Sequence, residues 1–258
     1  MKYYMYLCTM KKDKLYGAIL GDLVGQPYEF PIMANFPPED TINLHNPDSV
    51  FSDDTLMTLA TAKAILDNQS FEEAYKEVGM RYQGDHYGKD FKEWLNSPMG
   101  TINKSWGNGC LMRIAPFMYL SNALLTTKEL IAESCLTSHV NAESIVYSLE
   151  LAELYYANVK EYDYFIKFKL FPFKKFEVKA KDTFRFCKSA FIYHSDKNTQ
   201  DAIKNVVSCG GDTDTNASIV GELLNYHLQD LTQADIDYVE SKLDPYLLDI
   251  LKRFNERY

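Results

Sequence analysis

Residues 51–66 read FSDDTLMTLATAKAIL, in which two adjacent aspartates stand at the start of an apolar, helix-forming run. Ser52 is a good N-cap residue, and Asp53 and Asp54 in the first turn suit the positive end of the helix dipole. Helix capping alone would account for this composition. A pair of carboxylates at a helix start also suits a hard metal ion, which would need a second set of oxygen ligands elsewhere in the chain.

The composition of the 258-residue chain indicates one large folded domain. Hydrophobic residues make up 46% of the chain and aromatic residues 14%, which is ample for a packed core. The net charge of −9 argues against a large basic surface that would bind a nucleic-acid backbone. A nucleic-acid end or a single modified base remains open as a substrate.

The five cysteines are widely spaced and form no C-x-x-C pair, which is typical of reduced thiols in a cytosolic protein rather than of a disulfide framework or a zinc ribbon. The apolar residues at the start of the chain stop at Thr9 and are too few for a signal peptide. No stretch approaches the length of a membrane span. We therefore expect a cytoplasmic protein with no membrane partner, and we expect a monomer.

The spacing of the apolar residues predicts a protein built almost entirely of helices. Helical repeats cover residues 15–25, 55–66, 71–82, 127–139, 143–159, 199–208 and 216–228. A last helix is expected over 235–256 with a break at Pro245, whereas FIKFKLFPFKKFEV (165–178) is ambiguous between strand and helix. We predict one all-α domain over residues 15–258, preceded by an N-terminal extension of residues 1–14.

A second acidic helix start lies far downstream, in SCGGDTDTNASIVGELL (208–224). Its two glycines allow a tight turn with positive φ, after which Asp212, Asp214 and Thr215 offer oxygen ligands at the start of a helix. An EF-hand calcium loop counted from Asp212 is excluded, because its sixth position would hold alanine instead of glycine and its twelfth leucine instead of glutamate.

Together the two acidic motifs predict a binuclear metal centre. If the two helix starts face each other, four carboxylates come close and would repel one another unless cations neutralised them. Ligands that are all oxygen select Mg²⁺, Mn²⁺ or Ca²⁺ over zinc, and four negative charges suffice for two divalent ions. The candidate ligands are Ser52, Asp53, Asp54, Asp212, Asp214 and Thr215. Two separate helix caps remain the alternative.

Three further stretches contain candidate site residues. GAILGDLVGQPYEF (17–30) has glycines at every fourth position, which allows close helix packing, and its Glu29 is either a site acid or a surface acid. WGNGCLMRIAP (106–116) is a Gly-Asn-Gly turn whose exposed amides could hold a phosphate. SHVNAES (138–144) places His139 just before a helix, where a lone histidine is more often structural than a ligand.

Taken in order along the chain, these motifs resemble those of the ADP-ribosylglycohydrolase family, which includes the dinitrogenase reductase-activating glycohydrolases. The resemblance covers about residues 15–257 and is carried by GAILGDLVGQPYEF, FSDDTLMTLA, SWGNGCLMRIAP, SHVNAES and GGDTDT. Each motif alone is weak to moderate, but their shared order is specific. The resemblance implies a single-domain, all-α bundle of orthogonally packed helices with a binuclear Mg²⁺ or Mn²⁺ centre, which cleaves ADP-ribose from an acceptor.

By this resemblance, the six candidate ligands fall on the metal-ligand positions of the family, and Glu29 falls on the acid of a mobile loop that can cover the site. The loop that holds ADP-ribose corresponds to Gly107, Asn108, Gly109, Cys110 and Met112, and His139 falls near the distal side of the ligand. At the ligand position 52 threonine is commoner in the family than serine. The chain departs from the family pattern at Cys110, where serine or alanine is usual, and in HVNAES, which lacks the second histidine and the glycine often seen there. These two departures leave the metal ligands in place and concern substrate specificity.

We therefore expect a metal-dependent ADP-ribosyl hydrolase that cleaves a glycosidic bond through an oxocarbenium-like state. Asp54 and Glu29 are the candidates for proton transfer, and the division of acid and base roles between them stays open. The expected cofactors are two divalent cations, Mg²⁺ before Mn²⁺. The expected substrate is an ADP-ribosylated protein or a small-molecule or nucleobase conjugate of ADP-ribose, and no stable nucleic-acid binding is expected.

Two other classes of protein remain as alternatives. A two-metal phosphoesterase would use the same acids against a phosphate, and would release adenosine 5′-monophosphate or inorganic phosphate instead of intact ADP-ribose. A non-catalytic ADP-ribose-binding relative would have no chemical need for four clustered carboxylates. The acceptor stays open between arginine, serine, a nucleobase and a free metabolite.

Overall fold

The computed structural model describes residues 13–29, 36–84, 86–121, 123–157 and 176–258. Within these ranges the regular structure is helical, and only isolated bridges pair extended segments. The prediction of an all-α fold is therefore confirmed. The ambiguous residues 165–175, residues 1–12 of the predicted extension and residues 30–35 of the loop after Glu29 lie outside the described ranges.

The helices begin and end close to the boundaries that the apolar repeats predict. In chain order they are α1 (Tyr16–Gly25), α2 (Asp53–Asp67), α3 (Phe71–Arg81), α4 (Lys89–Leu95), α5 (Leu124–Ser138), α6 (Ala142–Tyr156), α7 (Ala180–His194), α8 (Thr199–Ser208), α9 (Thr213–Leu228), α10 (Gln233–Lys242) and α11 (Pro245–Arg257). The expected break near Pro245 separates α10 from α11, whereas the repeats do not predict α4 and α7. None of the described helices has the length and apolar character that crossing a bilayer requires.

Helices α1 and α9 form the centre of the fold and pack antiparallel, backbone against backbone. A Cβ atom added at Gly21 would overlap the carbonyl oxygen of Ala217, and one added at Gly25 would overlap that of Thr213. The glycine spacing of α1 therefore serves close helix packing. Because α1 ends where α9 begins, this contact brings the downstream acidic motif to the end of α1. The other helices surround the pair, with α7 and α8 against α9, and α3 and α11 against α2.

Buried carboxylates from other helices hold the starts of α1 and α2. Glu222 of α9 accepts hydrogen bonds from the backbone amides of Leu15 (2.9 Å) and Ala18 (3.0 Å) at the start of α1. Asp22 of α1 accepts a hydrogen bond from the backbone amide of Ser52 (2.9 Å) at the start of α2. A carboxylate in this place satisfies amides that have no partner within their own helix and favours the helix dipole. Helix α9 thus fixes the start of α1, and α1 fixes the start of α2.

Candidate functional site

The two acidic helix starts lie side by side at the floor of a cleft. The Thr215 hydroxyl at the start of α9 donates a hydrogen bond to Asp54 Oδ2 at the start of α2, over 3.0 Å. Ser52 caps α2, since its hydroxyl accepts a hydrogen bond from the Asp54 amide (3.2 Å), and it also donates to Asp54 Oδ2 (3.3 Å). The structure therefore brings the two motifs, which are distant in sequence, into one site.

Three acids of the predicted site converge at this floor. Glu29, Asp212 and Asp214 each offer one carboxylate oxygen, and these oxygens lie within 4.8 Å of one another. Glu29 follows the 3₁₀ turn Gln26–Tyr28 at the end of α1 and is half-buried in the cleft. Glu29 is therefore not a surface acid remote from the site. The five acids Glu29, Asp53, Asp54, Asp212 and Asp214 are called the carboxylate cluster below.

Asp212 occupies the N-cap position of α9 but does not cap the helix. Its carboxylate makes no capping hydrogen bond in the described structure, and its Oδ2 instead accepts one from Asn108 Nδ2 over 2.6 Å. The same amide nitrogen donates to Thr183 Oγ1 of α7 over 3.1 Å. Helix capping therefore does not account for Asp212, and Asn108 holds this acid in position.

Burial and mutual repulsion raise the pKa of every acid in the carboxylate cluster. The pKa is raised well above its ordinary value, first by burial and then by the neighbouring carboxylates, in Asp53, Asp54 and Asp214. Burial, with the charges of Asp214 and Asp22, raises the pKa of Glu29 to about 8. Burial raises the pKa of Asp212 to about 6. Acids this close must share protons or be neutralised by cations.

The oxygens of the cluster suit a hard divalent cation. Asp54 Oδ1 is buried and has no hydrogen-bond partner among the described residues, although buried carboxylate oxygens ordinarily have one. The donors gathered here are carboxylate and hydroxyl oxygens, which Mg²⁺, Mn²⁺ and Ca²⁺ prefer. The residues present therefore fit divalent cations.

Asp22, which orients the acidic start of α2, is a site residue that the sequence analysis misses. It is fully buried and accepts hydrogen bonds from the Ser52 amide and from both the amide (3.1 Å) and the hydroxyl of Thr55. These contacts fix the turn that carries the adjacent aspartates of α2. A signal for Asp22 does exist, because it is the one charged residue in the run LYGAILGDLVG, where a buried aspartate needs partners.

A cleft of about 440 Å³ opens above the carboxylate cluster. The predicted site residues that line it are Glu29, Asp53, Asp54, Gly107, Asn108, Gly109, Met112, His139, Asp212, Asp214 and Thr215. Ser52 is buried beneath the cleft. The structure does not bring the Cys110 side chain to the cleft, because the thiol is fully buried and donates to the Ser144 carbonyl oxygen over 3.5 Å. Any contact of Cys110 with a ligand is left to its backbone.

Two backbone amides of the loop at residues 107–112 already have acceptors in the protein. The Gly107 amide donates to Ser105 Oγ (3.2 Å), and the Asn108 amide donates to the carbonyl oxygen of Val178 (2.9 Å). The Gly109 amide has no acceptor in the described part of the chain, whereas the Cys110 amide belongs to the 3₁₀ turn Asn108–Cys110. A phosphate held by this loop would therefore bind at Gly109 rather than along the whole turn.

His139 presents a neutral imidazole to the cleft. Burial and the charge of Arg113 lower the pKa of His139 well below its ordinary value. Ser138 Oγ accepts a hydrogen bond from Arg113 Nη2 (2.8 Å) and lies 2.9 Å from His139 Nδ1. When this hydroxyl donates to Nδ1, the imidazole proton lies on Nε2, the ring atom beside Gly109. His139 can therefore donate a hydrogen bond to a ligand held by the loop.

Arg113 places a positive charge behind the same loop. The side chain is fully buried, packs over the ring of Tyr75 with 4.1 Å between the guanidinium carbon and the ring centroid, and lines the cleft. Its Nη2 donates to two neutral groups, the carbonyl oxygen of Ser134 (3.0 Å) and the hydroxyl of Ser138. Because these partners carry no negative charge, the guanidinium favours an anion in the cleft.

Sequence and fold comparisons both point to one group of proteins. Residues 12–168 match the family model described as ADP-ribosylglycohydrolase. The fold is similar to that of a solved structure described as an ADP-ribosylglycohydrolase-related protein complex, with a TM-score of 0.68 and 17% sequence identity over 96% of this chain and 98% of that chain. At this identity the likeness is one of fold. No curated protein matches the chain.

Proposed function

The chain belongs to the ADP-ribosylglycohydrolase family, and from this premise we propose that it is a metal-dependent hydrolase that cleaves the glycosidic bond between ADP-ribose and an acceptor. The observation that carries the proposal is the carboxylate cluster at the floor of the cleft, with its buried and unpartnered Asp54 Oδ1. Acids with a purely structural role would have their partners within the chain. An unpartnered oxygen among crowded acids instead suits a group that the protein has to bind.

Two divalent cations, Mg²⁺ before Mn²⁺, are the cofactors that we propose. The residues that would hold them are Ser52, Asp53, Asp54, Asp212, Asp214 and Thr215, and Glu29 lies close enough to Asp212 and Asp214 to contribute. When bound, such ions orient the hydroxyls of a sugar and make a water molecule more acidic. Asn108 and Asp22 then act as positioning residues, because each holds one part of this set through hydrogen bonds.

Glu29 and Asp54 are the proposed groups for proton transfer. Asp54 offers an oxygen that no described residue occupies. Glu29 reaches the same floor from the end of the 3₁₀ turn after α1 and lies outside the α-helices. In a glycosidic cleavage one carboxyl protonates the leaving group and another takes the proton of the attacking water. Either residue can fill either role, since both face the cleft.

The wall of the cleft formed by the loop at residues 107–112 is proposed to bind the pyrophosphate of ADP-ribose. The amide of Gly109, the imidazole of His139 beside it and the charge of Arg113 all belong to this part of the cleft lining. These donors allow a protein with a net charge of −9 to bind an anionic ligand. We also place Met112 at the ligand, because it lines the same wall.

Residues 15–258 are proposed to form the catalytic domain. Hydrogen bonds join the residue just before this range to its last helix, from the Lys14 amide to Asn255 Oδ1 (2.7 Å) and from Asn255 Nδ2 to the Lys14 carbonyl oxygen (2.9 Å). Helix α11 packs against α2, which carries half of the carboxylate cluster. The last helix thus supports the site directly, so a shorter unit would lack part of its frame.

The test is to incubate the purified protein with Mg²⁺ and a panel of ADP-ribosylated acceptors linked through arginine, serine or a nucleobase. We expect the wild-type protein to release intact ADP-ribose from at least one of them. Asp54→Asn should abolish the release. Asp249→Asn is the matched control, because its carboxylate lies on the surface of α11 with 62% of the side chain exposed, and it should retain full activity.

The products also decide between the proposed function and its alternatives. Release of adenosine 5′-monophosphate or inorganic phosphate in place of ADP-ribose would favour a two-metal phosphoesterase. Tight binding of ADP-ribose with no turnover of any conjugate would favour a non-catalytic relative. Activity that persists unchanged in Asp54→Asn would remove the carboxylate cluster as the active site.

A further inference from the structure

Tyr87 carries a buried hydroxyl that the protein leaves unpaired. Its side chain lies in the cleft wall just before α4 and is 4% exposed. Its hydroxyl has no hydrogen-bond partner in the part of the chain that the structure describes. A buried hydroxyl without a partner is unfavourable. Because Tyr87 itself belongs to the cleft lining, a ligand bound in the cleft can supply the missing partner.

Tyr16 provides the contrast of an equally buried tyrosine with a structural role. It is 3% exposed, and its hydroxyl donates to Glu240 Oε1 over 2.7 Å. The contact ties α1 to α10, and Tyr16 is not among the residues that line the cleft. The two tyrosines therefore differ in the partner of the hydroxyl and not in burial.

The ring of Tyr87 is fixed by its neighbours, which defines where the hydroxyl lies. His86 packs edge-on with 4.3 Å between ring centroids, and Phe91 of α4 packs against the ring with 5.4 Å between centroids. A group that is already held in place loses little freedom when a ligand arrives. The position of the Tyr87 ring is thus set before a ligand arrives.

Asp53 is the acid of the carboxylate cluster whose charge acts on Tyr87. Burial, and then the charge of Asp53, raise the pKa of Tyr87 above its ordinary value. The phenol therefore keeps its proton near neutral pH and can donate a hydrogen bond. This donor and the acids that we propose as cation ligands line the same cleft.

We propose that Tyr87 is a substrate-binding residue whose hydroxyl donates a hydrogen bond to an oxygen of the ribose at which the glycosidic bond is cleaved. The inference rests on the proposed function, since cleavage at the carboxylate cluster brings this ribose next to Asp53. The ribose offers hydroxyl and ring oxygens as acceptors at that point. The pyrophosphate, in contrast, lies with the Gly109 amide of the 107–112 loop.

The experiment compares Tyr87→Phe with Tyr16→Phe, because each change removes one buried hydroxyl and nothing else. The melting temperature and the dissociation constant of ADP-ribose, from calorimetric titration in Mg²⁺, are measured for both variants and for the wild-type protein. Tyr87→Phe should melt at or above the wild-type temperature and bind ADP-ribose about three- to tenfold more weakly, the loss expected for one neutral hydrogen bond. Tyr16→Phe should melt about 2–4 °C lower and bind as the wild-type protein does.

Each contrary result has a distinct meaning. A melting temperature of Tyr87→Phe that falls as far as that of Tyr16→Phe would show that the hydroxyl has a structural partner, and would overturn the inference. An unchanged dissociation constant in stable Tyr87→Phe would overturn the inference and leave the proposed function standing. A wild-type protein that does not bind ADP-ribose would overturn the proposed function, and the inference with it.

Discussion

Glu222 and Asp54 are both buried carboxylates that act at the start of a helix. The described residues supply hydrogen-bond donors to both oxygens of Glu222 but to only one oxygen of Asp54. Glu222, 0% exposed, accepts hydrogen bonds at Oε1 from the Leu15 amide and the Tyr119 hydroxyl (2.5 Å), and at Oε2 from the Ala18 amide. Asp54, 1% exposed, has hydroxyl donors at Oδ2, whereas its Oδ1 has no partner among the described residues.

Burial and a raised pKa therefore do not identify a functional acid in this protein, because both groups have them. The distinguishing property is whether the chain itself supplies partners for both oxygens. Asp22 belongs with Glu222, since both of its oxygens accept hydrogen bonds from the start of α2. The same property distinguishes the two tyrosines compared above, because the hydroxyl of Tyr16 has a partner in the chain and that of Tyr87 has none among the described residues. Four experiments test the comparison between the two carboxylates.

The largest effect is expected from Glu222→Ala. The free energy of unfolding at pH 6 should fall by about 3–5 kcal/mol, because the amides at the start of α1 lose their acceptors and a cavity opens in the core. Urea denaturation followed by circular dichroism measures this. Glu129→Ala, at an exposed position of α5, should change it by no more than about 0.5 kcal/mol. A loss below 1 kcal/mol for Glu222→Ala would contradict a structural role.

Glu29→Gln should reduce turnover and leave the fold intact. We expect single-turnover hydrolysis at saturating Mg²⁺ to fall about 10²-fold, or about 2.7 kcal/mol in activation free energy, because the amide cannot transfer a proton. Binding of both cations and of ADP-ribose should persist. Equal rates for the variant and the wild-type protein would make Glu29 a bystander, and would leave proton transfer to Asp54.

Mg²⁺ should stabilise the folded protein through the carboxylate cluster alone. At about thirtyfold excess over its dissociation constant, Mg²⁺ should add about 2 kcal/mol to the free energy of unfolding by mass action. The triple variant Asp53→Asn/Asp54→Asn/Asp212→Asn should lose this response, because the charges that hold the ion are gone. Glu222→Gln should keep it, although its core is altered. If the triple variant responds to Mg²⁺ as the wild-type protein does, the ions bind elsewhere.

The smallest effect concerns the pH dependence that Glu222 adds to stability. Burial raises the pKa of Glu222 from 4.5 to about 7, although Tyr119 and the α1 amides act to lower it. The folded protein therefore holds a proton that the unfolded chain has released, and the stability from this proton is present in full below pH 4.5 and lost as the pH rises through 7.

Relative to Glu222→Gln, which cannot titrate, the wild-type protein should accordingly lose about 1–2 kcal/mol of unfolding free energy between pH 5 and pH 7. Urea denaturation of both proteins at pH 5, 6 and 7 measures the difference. Parallel pH profiles would mean that Glu222 is ionised throughout this range.

Local signals in the sequence account for most of the fold. Ser52 caps α2 where the acidic motif predicts, and Gly210 and Gly211 adopt φ values of +72° and +82° in the turn before α9. Helix α7 is missed although Phe184, Cys187 and Phe191 recur at helical spacing on its buried face, so its apolar pattern is present in the sequence.

The sequence predicts which donor atoms the site contains better than it predicts which residues contact one another. Acid-rich helix starts identify the oxygen donors, since their composition exceeds what a cap needs. The contact of Asp22 with α2 joins residues far apart in sequence, and no local pattern encodes it. The direction of the Cys110 thiol, away from the cleft, also follows from packing against α6. The order of the family motifs along the chain thus locates the loop at residues 107–112, but only the fold determines which atoms of this loop face the cleft.

The backbone contact between α1 and α9 has a consequence for mutational scanning. Gly17, Gly21 and Gly25 lie where even a methyl group would force the two helices apart, and these helices carry Asp22 and Asp214. In a saturation library scored by activity, alanine would be rejected at three positions spaced four residues apart, none of which lines the cleft. A ranking of residues by mutational tolerance would therefore report these three glycines as catalytic residues. Their role is instead to set the short distance between α1 and α9.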